Sequence, residues 1–214
     1  MFCRDRDLLA LEPGLFRDCL WAAHVRVRST GSLAGGIISL DDPALAGAAV
    51  APGMVALFAG VPLEITSTTG DTKINISLLR PDPADAPILP RDADAAEVVV
   101  HTFAAQIALA HARMLHMLGL RPAGSPPFPA GSLDETAVTN PRDLAHAEAL
   151  CTLHLIYSAA AAGLRDDSPA AQRAAMYRAR FTLARAQARA LIDTTGDGIP
   201  DAARTLNTLL LQRA

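Results

Sequence analysis

The sequence predicts an α+β protein in which an N-terminal small antiparallel β-barrel or sheet precedes a C-terminal helical bundle. Between residues 21 and 101, hydrophobic and polar side chains alternate with the period of two that is typical of β-strands. After residue 101, hydrophobic side chains recur every three or four positions, the spacing of a helix with one buried face. We therefore expect a strand-rich region at residues 1–101, a helical domain at residues 102–204 and a C-terminal arm at residues 205–214.

The strands of the first region are separated by glycine-containing turns. Gly60 and Gly70 are expected to reverse the chain, because glycine adopts positive φ without steric cost. The segments with strand character are HVRVRS at 24–29, GGIISL at 35–40 and MVALFAGVPLEITSTTGDTKINISLL at 54–79.

The last of these segments has one apolar face and is followed by a loop. Alternation places Ile74, Ile76 and Leu78 on the same side of a strand. The next segment, PDPADAPILPRDADA at 81–95, is rich in proline, which cannot donate a ladder hydrogen bond. We expect it to be a long exposed loop.

Three helices are predicted in the second half. Asn140 is expected to cap the second helix, with Pro141 at its first position. The third begins near Ser168 and runs to about Ile192, with an apolar stripe that ends at Leu191. The predicted ranges are 103–119, 140–163 and 168–192.

Composition and charge exclude several classes of function. A net charge of −3 argues against a general nucleic-acid-binding protein, whose affinity depends on neutralising phosphates. No apolar run reaches the roughly 18 residues needed to span a bilayer, and the N-terminal segment does not have the pattern of a signal peptide. Cys3, Cys19 and Cys151 are odd in number and widely spaced, which favours reduced, buried thiols in a protein made in a cytoplasm.

No catalytic motif is present in the sequence. It has no HExxH, Gly-x-Ser-x-Gly, Walker or GxGxxG pattern. His111 and His116 are five positions apart, which does not place them on one metal-binding face of a helix. We therefore expect ordinary core or surface histidines and a protein that is not an enzyme.

Five arginines surround the apolar stripe of the third predicted helix, with no acidic residue between Ser168 and Ile192. Such a surface either faces solvent or pairs with carboxylates of a neighbouring subunit. Contact with DNA is less favoured, because few aromatic side chains are available to stack on bases. The candidate subunit-interface residues are Arg173, Arg178, Arg180, Arg185 and Arg189.

The stretch DTTGDGIPD, residues 193–201, has two interpretations. It partly matches a calcium loop, but Thr195 and Arg204 stand where further oxygen ligands are expected. The pattern also fits a polar turn in which Gly196 and Gly198 break the third helix. We expect no cofactor, with calcium as the possible exception, and the candidate ligands are Asp193, Asp197 and Asp201. A cytoplasmic enzyme or calcium-responsive binding protein with a site near Asp193 is the alternative function.

The order of segments over residues 140–214 is distinctive. NPRDLAHAEALCTLHLIYSAAA is followed by an Asp-rich break, then by AAMYRARFTLARAQARALI, which contains a YRxRF element at 177–181, and finally by DTTGDG and a short tail. This order resembles the adaptor, or head-tail connector, proteins of tailed bacteriophages. The strand-rich region is absent from the simplest, all-helical adaptors, and we interpret it as an inserted barrel.

The resemblance implies a structural role in the virion neck. Subunits assembled in the host cytoplasm would form a homo-oligomeric ring that joins the portal protein to the next neck or tail protein. DNA would pass through the lumen without sequence-specific recognition. Alanine-lined helices suit such packing against identical copies. The tail would grip the portal by adding as a strand to its sheet. The alternative is that the tail forms a short helix that folds back on its own domain and binds no partner. The candidate arm residues are Leu206, Leu209, Leu210 and Leu211.

Overall fold

A computed structural model describes residues 1–125, 133–165 and 167–206. The protein is α+β and contains a closed antiparallel β-barrel, which confirms the predicted class. It divides into two compact units, a barrel unit formed by Arg4–Ala104 and a C-terminal unit formed by Met1–Cys3 with Ala105–Ala214. The helices are α1 (Asp5–Leu11), α2 (Leu15–Asp18), α3 (Ala104–Leu118), α4 (Pro141–Ala161) and α5 (Pro169–Gln187). The strands are β1 (Val25–Ala34), β2 (Ile37–Leu40), β3 (Val55–Phe58), β4 (Val61–Thr69), β5 (Lys73–Ser77), β6 (Ala93–His101), β7 (Arg189–Ile192) and β8 (Ala202–Thr205).

The barrel has the strand order β1-β2-β5-β4-β3-β6, and β6 closes it by pairing with β1. Burial alternates along β1, as the sequence pattern predicts. At Gly31 a Cβ atom would lie 2.5 Å from the carbonyl oxygen of Ser39, so this close approach of β1 to β2 requires glycine. The barrel core contains Val27, Leu33, Ile38, Leu40, Ala56, Phe58, Leu63, Ile65, Ile74, Ile76, Val98 and Val100.

One side chain assigned to the core face of β5 lies outside it. Ile74 and Ile76 are buried, but Leu78 is 39% exposed. The strand ends at Ser77, and Leu78 instead forms an isolated antiparallel bridge with Ile88 in the following loop. Residues 81–92 of that loop are mostly exposed, as predicted from the prolines, but residues 93–95, which were also assigned to the loop, begin β6.

The third predicted helix ends earlier than its apolar stripe suggests. α5 stops at Gln187, since Ala188 takes an extended conformation with ψ 133°. Residues 189–192 form β7, which pairs with β8, so Arg189 is on a strand and not on the helix. A run of four residues, RALI, fits both periods, and here the strand period holds because Ala190 and Ile192 are buried while Arg189 and Leu191 are exposed.

The expected cap of α4 is also different. The Asn140 side chain makes no capping hydrogen bond to the first turn of the helix. Its Oδ1 accepts the backbone N–H of Leu191, and its Nδ2 donates to the Arg189 carbonyl oxygen. Asn140 therefore joins the start of α4 to β7.

Within residues 1–125, 133–165 and 167–206, none of the helices combines the length and apolar character needed to cross a membrane.

Candidate interaction surface

One side of α5 is anchored to α4 by aromatic side chains. The rings of Tyr157 and Tyr177 are stacked, with centroids 5.7 Å apart and planes inclined by 5°. Ala174, Tyr177 and Phe181, spaced three and four residues apart, are the buried residues of α5. The tyrosine and phenylalanine of the YRxRF element thus pack in the interior and hold the helix in place.

The opposite side of α5 carries hydrophobic side chains that are exposed. Leu183 is 69% exposed and Met176 is 37% exposed. The neighbouring small residues Ala175 and Ala179 are exposed as well. Isolated exposed leucines are common on proteins, but several apolar side chains on one helix face make a contiguous patch.

A groove of about 660 Å³ runs along α5 where its exposed face meets α4. It exists because alanines occupy the positions where larger side chains would fill the space. Its lining consists of His154 from α4 and of Ala174, Ala175, Arg178, Ala179, Thr182 and Leu183 from α5. We call these lining residues together with Met176 the α5 surface.

The five arginines do not form a single face, which corrects the sequence interpretation. Arg173 is partly buried and donates from Nη1 to the hydroxyl of Tyr157 at 3.1 Å, with its guanidinium over that ring. Arg185 is also partly buried and lies over the ring of Phe181. Both stabilise the unit internally. Arg178 and Arg180 are exposed on α5, and Arg189 is exposed on β7.

The exposed part of α5 is nevertheless positively charged. The helix has no aspartate or glutamate. Arg178 lines the groove and Arg180 lies over the Tyr177 ring, 5.7 Å from its centroid. A partner on this surface should combine apolar groups with carboxylates.

The Asp193 stretch forms the loop of the β7–β8 hairpin. The Asp193 carboxylate accepts backbone hydrogen bonds from Gly198 and Gly196, and these bonds hold its pKa below the usual value. Asp201 accepts from Thr194 and Asp197 from the N–H of Ile199. The glycines do not break a helix, as the turn interpretation supposed, because α5 has already ended. They turn the hairpin loop with φ of 81° and 83°.

In the part of the chain that the structure describes, no group of three or more His, Cys, Asp or Glu residues is arranged to hold a metal ion. Calcium binding by Asp193, Asp197 and Asp201 stays a prediction.

Of the predicted arm residues, Leu206 is only 2% exposed and follows β8 directly. Its side chain is therefore buried and not available to grip a partner. Thr205, the first residue of the predicted arm, belongs to β8. Leu209, Leu210 and Leu211 lie outside the described residues, so any arm begins after Leu206.

The C-terminal unit contains a buried charged cluster that was not predicted from the sequence. His111 on α3 contacts Glu148 through Nδ1 at 2.6 Å and Glu135 through Nε2. The Glu148 carboxylate, which is fully buried, also accepts the backbone N–H groups of Phe2 and Cys3. The cluster thereby fixes the first residues of the chain to α3 and α4. The sequence feature that could have indicated the cluster is Glu148, a carboxylate within the predicted apolar face of the second helix.

The charge of this cluster predicts a pH dependence. Burial alone would lower the pKa of His111, but its hydrogen bonds to Glu148 and Glu135 outweigh burial and raise it above 6.5. The stabilisation is therefore complete below pH 6.5 and is lost as the pH rises through the pKa in the folded state. We expect the free energy of unfolding, followed by the helical circular dichroism signal in urea, to fall on alkalinisation more steeply in the wild type than in His111→Gln. Parallel curves would remove His111 as the cause.

Comparisons with protein-family models, with curated proteins and with solved structures found no match to this chain.

Proposed function

We propose that this protein is a non-enzymatic structural subunit of a bacteriophage neck, in which identical copies assemble into a ring through the α5 surface. The exposed apolar groove on α5 carries this proposal, because a helix face lined by alanine and leucine gains stability when a partner covers it. The helix is held by the Tyr157–Tyr177 stack. Such a preformed surface has little conformational entropy to lose on association.

In this role α3, α4 and α5 form an adaptor-like helical bundle, and the barrel is an insertion directed to the outside or to the next tail component. Residues after Leu206 attach the ring to the portal protein. DNA passes through the lumen without base-specific contacts, and the working location is the neck of the virion. No specific observation favours the alternative function near Asp193, since its carboxylates are engaged by the hairpin backbone.

The assembly step is tested by placing a charge on the α5 surface. Leu183→Glu is expected to abolish assembly, because it removes the large exposed apolar side chain of the α5 surface and requires a carboxylate to lose its hydration against the partner. Leu109→Glu is the matched control, since Leu109 is 59% exposed on α3, outside the α5 surface. Both variants should fold with stabilities within about 0.5 kcal/mol of the wild type, as exposed substitutions usually do.

The readout is the mass distribution from sedimentation velocity. The proposal requires monomers for Leu183→Glu and assemblies for Leu109→Glu. Assembly by both variants, or its equal loss in both, would show that the α5 surface is not the interface.

The attachment step is tested by a truncation after Leu206, which leaves β8 and the buried Leu206 side chain intact. The truncated protein is expected to fold and to assemble but to lose binding to the portal protein in co-sedimentation. A truncated ring that still binds the portal would remove residues 207–214 from the mechanism.

A further inference from the structure

We propose that the groove on α5 receives the Ile88–Leu89 tip of the barrel unit of a second copy, so that the ring is built from one repeated head-to-tail contact. The inference rests on the proposed ring and specifies which surface of the neighbouring subunit completes it.

The tip is an exposed apolar protrusion. Ile88 is 45% exposed and Leu89 is 60% exposed, in the loop between β5 and β6. Val61, 52% exposed, is another large apolar side chain left uncovered on the barrel unit. Two adjacent branched side chains suit a groove of about 660 Å³, which is within the ~300–1,000 Å³ of typical binding clefts.

The backbone of Ile88, at the tip, is hydrogen-bonded through both its N–H and its carbonyl group. The N–H of Ile88 donates to Ser77 Oγ at 2.8 Å, and its carbonyl accepts the N–H of Leu78 at 2.9 Å. Arg80 Nη1 donates to the Asp85 carbonyl at 2.6 Å. A loop fixed in this way presents its apolar side chains at a low entropic cost of binding.

The charges around the tip are opposite to those around the groove. Residues 81–95, which form this loop and the first residues of β6, contain four aspartates and one arginine. Asp85, Asp92 and Asp94 are exposed. The groove is flanked by the exposed Arg178 and Arg180 on a helix without acidic residues. Contact between the two surfaces would bring unlike charges together around an apolar centre.

The same charges argue against the contact of one α5 surface with another. A two-fold symmetric contact would bring Arg178 and Arg180 of both copies into one interface, with no carboxylate on either α5 helix to compensate them. When the groove of one copy binds the tip of another, the resulting dimer still has one uncovered groove and one uncovered tip. Repetition then closes a ring if the rotation between subunits allows it.

Pairwise cross-linking tests this arrangement. Leu183→Cys and Leu89→Cys are made separately, and the two proteins are treated with a short bismaleimide, alone and after mixing of dissociated subunits. Cys3, Cys19 and Cys151 are at most 4% exposed, so the wild-type chain supplies the background reaction. We expect a cross-linked dimer in the mixture. For either variant alone, the amount of cross-linked product should not exceed the background. A mixture of Leu109→Cys with Leu89→Cys should also stay at background.

Each result decides the question. Cross-linking of Leu183→Cys with itself, or assemblies that give no product in the mixture, would overturn the head-to-tail contact while leaving the ring intact. Absence of any assembly of the wild-type protein would overturn the ring as well. Charge reversal gives an independent check: Arg178→Asp with Arg180→Asp should weaken association at least ~tenfold at low salt, and Asp92→Arg with Asp94→Arg in the partner should restore it.

Discussion

Replacing Glu64 by alanine is expected to lower the free energy of unfolding of the barrel unit by about 3–5 kcal/mol. The Glu64 side chain is buried between two arginines, with Oε1 at 2.9 Å from Arg6 Nε and at 2.8 Å from Arg80 Nη2. Both arginines are themselves buried. Alanine would leave Arg80 and Arg6 without their buried counter-ion, with only the partly exposed Asp7 carboxylate 3.7 Å from Arg6 Nη1, a larger cost than the net value of an intact ion pair.

Trp21 makes this measurement specific to the barrel unit. It is the only tryptophan of the chain and lies in that unit, so its fluorescence reports the urea unfolding of the barrel. The matched control is Glu97→Ala, which removes an exposed pair with Arg28 at 3.2 Å and should cost less than about 1 kcal/mol. Equal losses for Glu64→Ala and Glu97→Ala would contradict the interpretation of Glu64 as a buried counter-ion.

The stability of the barrel unit should respond to acid through two groups of opposite effect. Burial among aromatic rings lowers the pKa of His101 to about 4, and the neighbouring His24 lowers it further in the same direction. Burial raises the pKa of Asp5 to about 6, although Thr102 Oγ1 and the N–H of Phe103 donate to its carboxylate.

The signs follow from proton binding. Between pH 6.5 and about pH 4, His101 is protonated in the unfolded chain but neutral in the folded chain. The free energy of unfolding therefore falls as the pH is lowered through this range. The folded chain binds a proton at Asp5 below about pH 6, whereas the unfolded chain binds it only near 3.8, so stability rises over that window. Each effect amounts to about 3 kcal/mol, and in the wild type they nearly cancel.

Single substitutions separate the two groups. Asp5→Asn should make the barrel unit lose at least about 3 kcal/mol between pH 6.5 and pH 4, because the two histidines with lowered pKa values, His101 and His24, then respond without the opposing effect of Asp5. His101→Leu should make it gain a similar amount between pH 6 and pH 4. The measurement is the Trp21-detected free energy of unfolding at half-unit pH intervals, in which the slopes matter and not the absolute values. Parallel pH profiles for the wild type and both variants would contradict the assignment.

Local periodicity was sufficient to predict β1, β2, β4, β5 and α3, but β6 was not among the predicted strand segments, since its burial does not alternate. It could not decide between an open sheet and a barrel, because closure depends on the pairing of β1 with β6 across a long sequence separation. It also assigned RALI to a helix, since four residues fit both periods. The β7 assignment depends on pairing with β8, which lies beyond the hairpin loop.

The candidate surface was predictable only in part. The sequence showed that α5 is rich in arginine and alanine, but not that Arg173 and Arg185 pack on aromatic rings of their own unit while Arg178 and Arg180 remain exposed. Buried charges were harder still. Alternation places Glu64 on the face opposite Leu63, and its burial depends on Arg6 from a distant part of the chain.

The mass of the purified protein tests most directly whether identical copies associate through the α5 surface. Native mass spectrometry over a range of concentrations, with electron micrographs of the same sample, should show a closed annular assembly of one defined subunit number that persists when calcium is chelated. A protein that stays monomeric at every concentration would contradict the account.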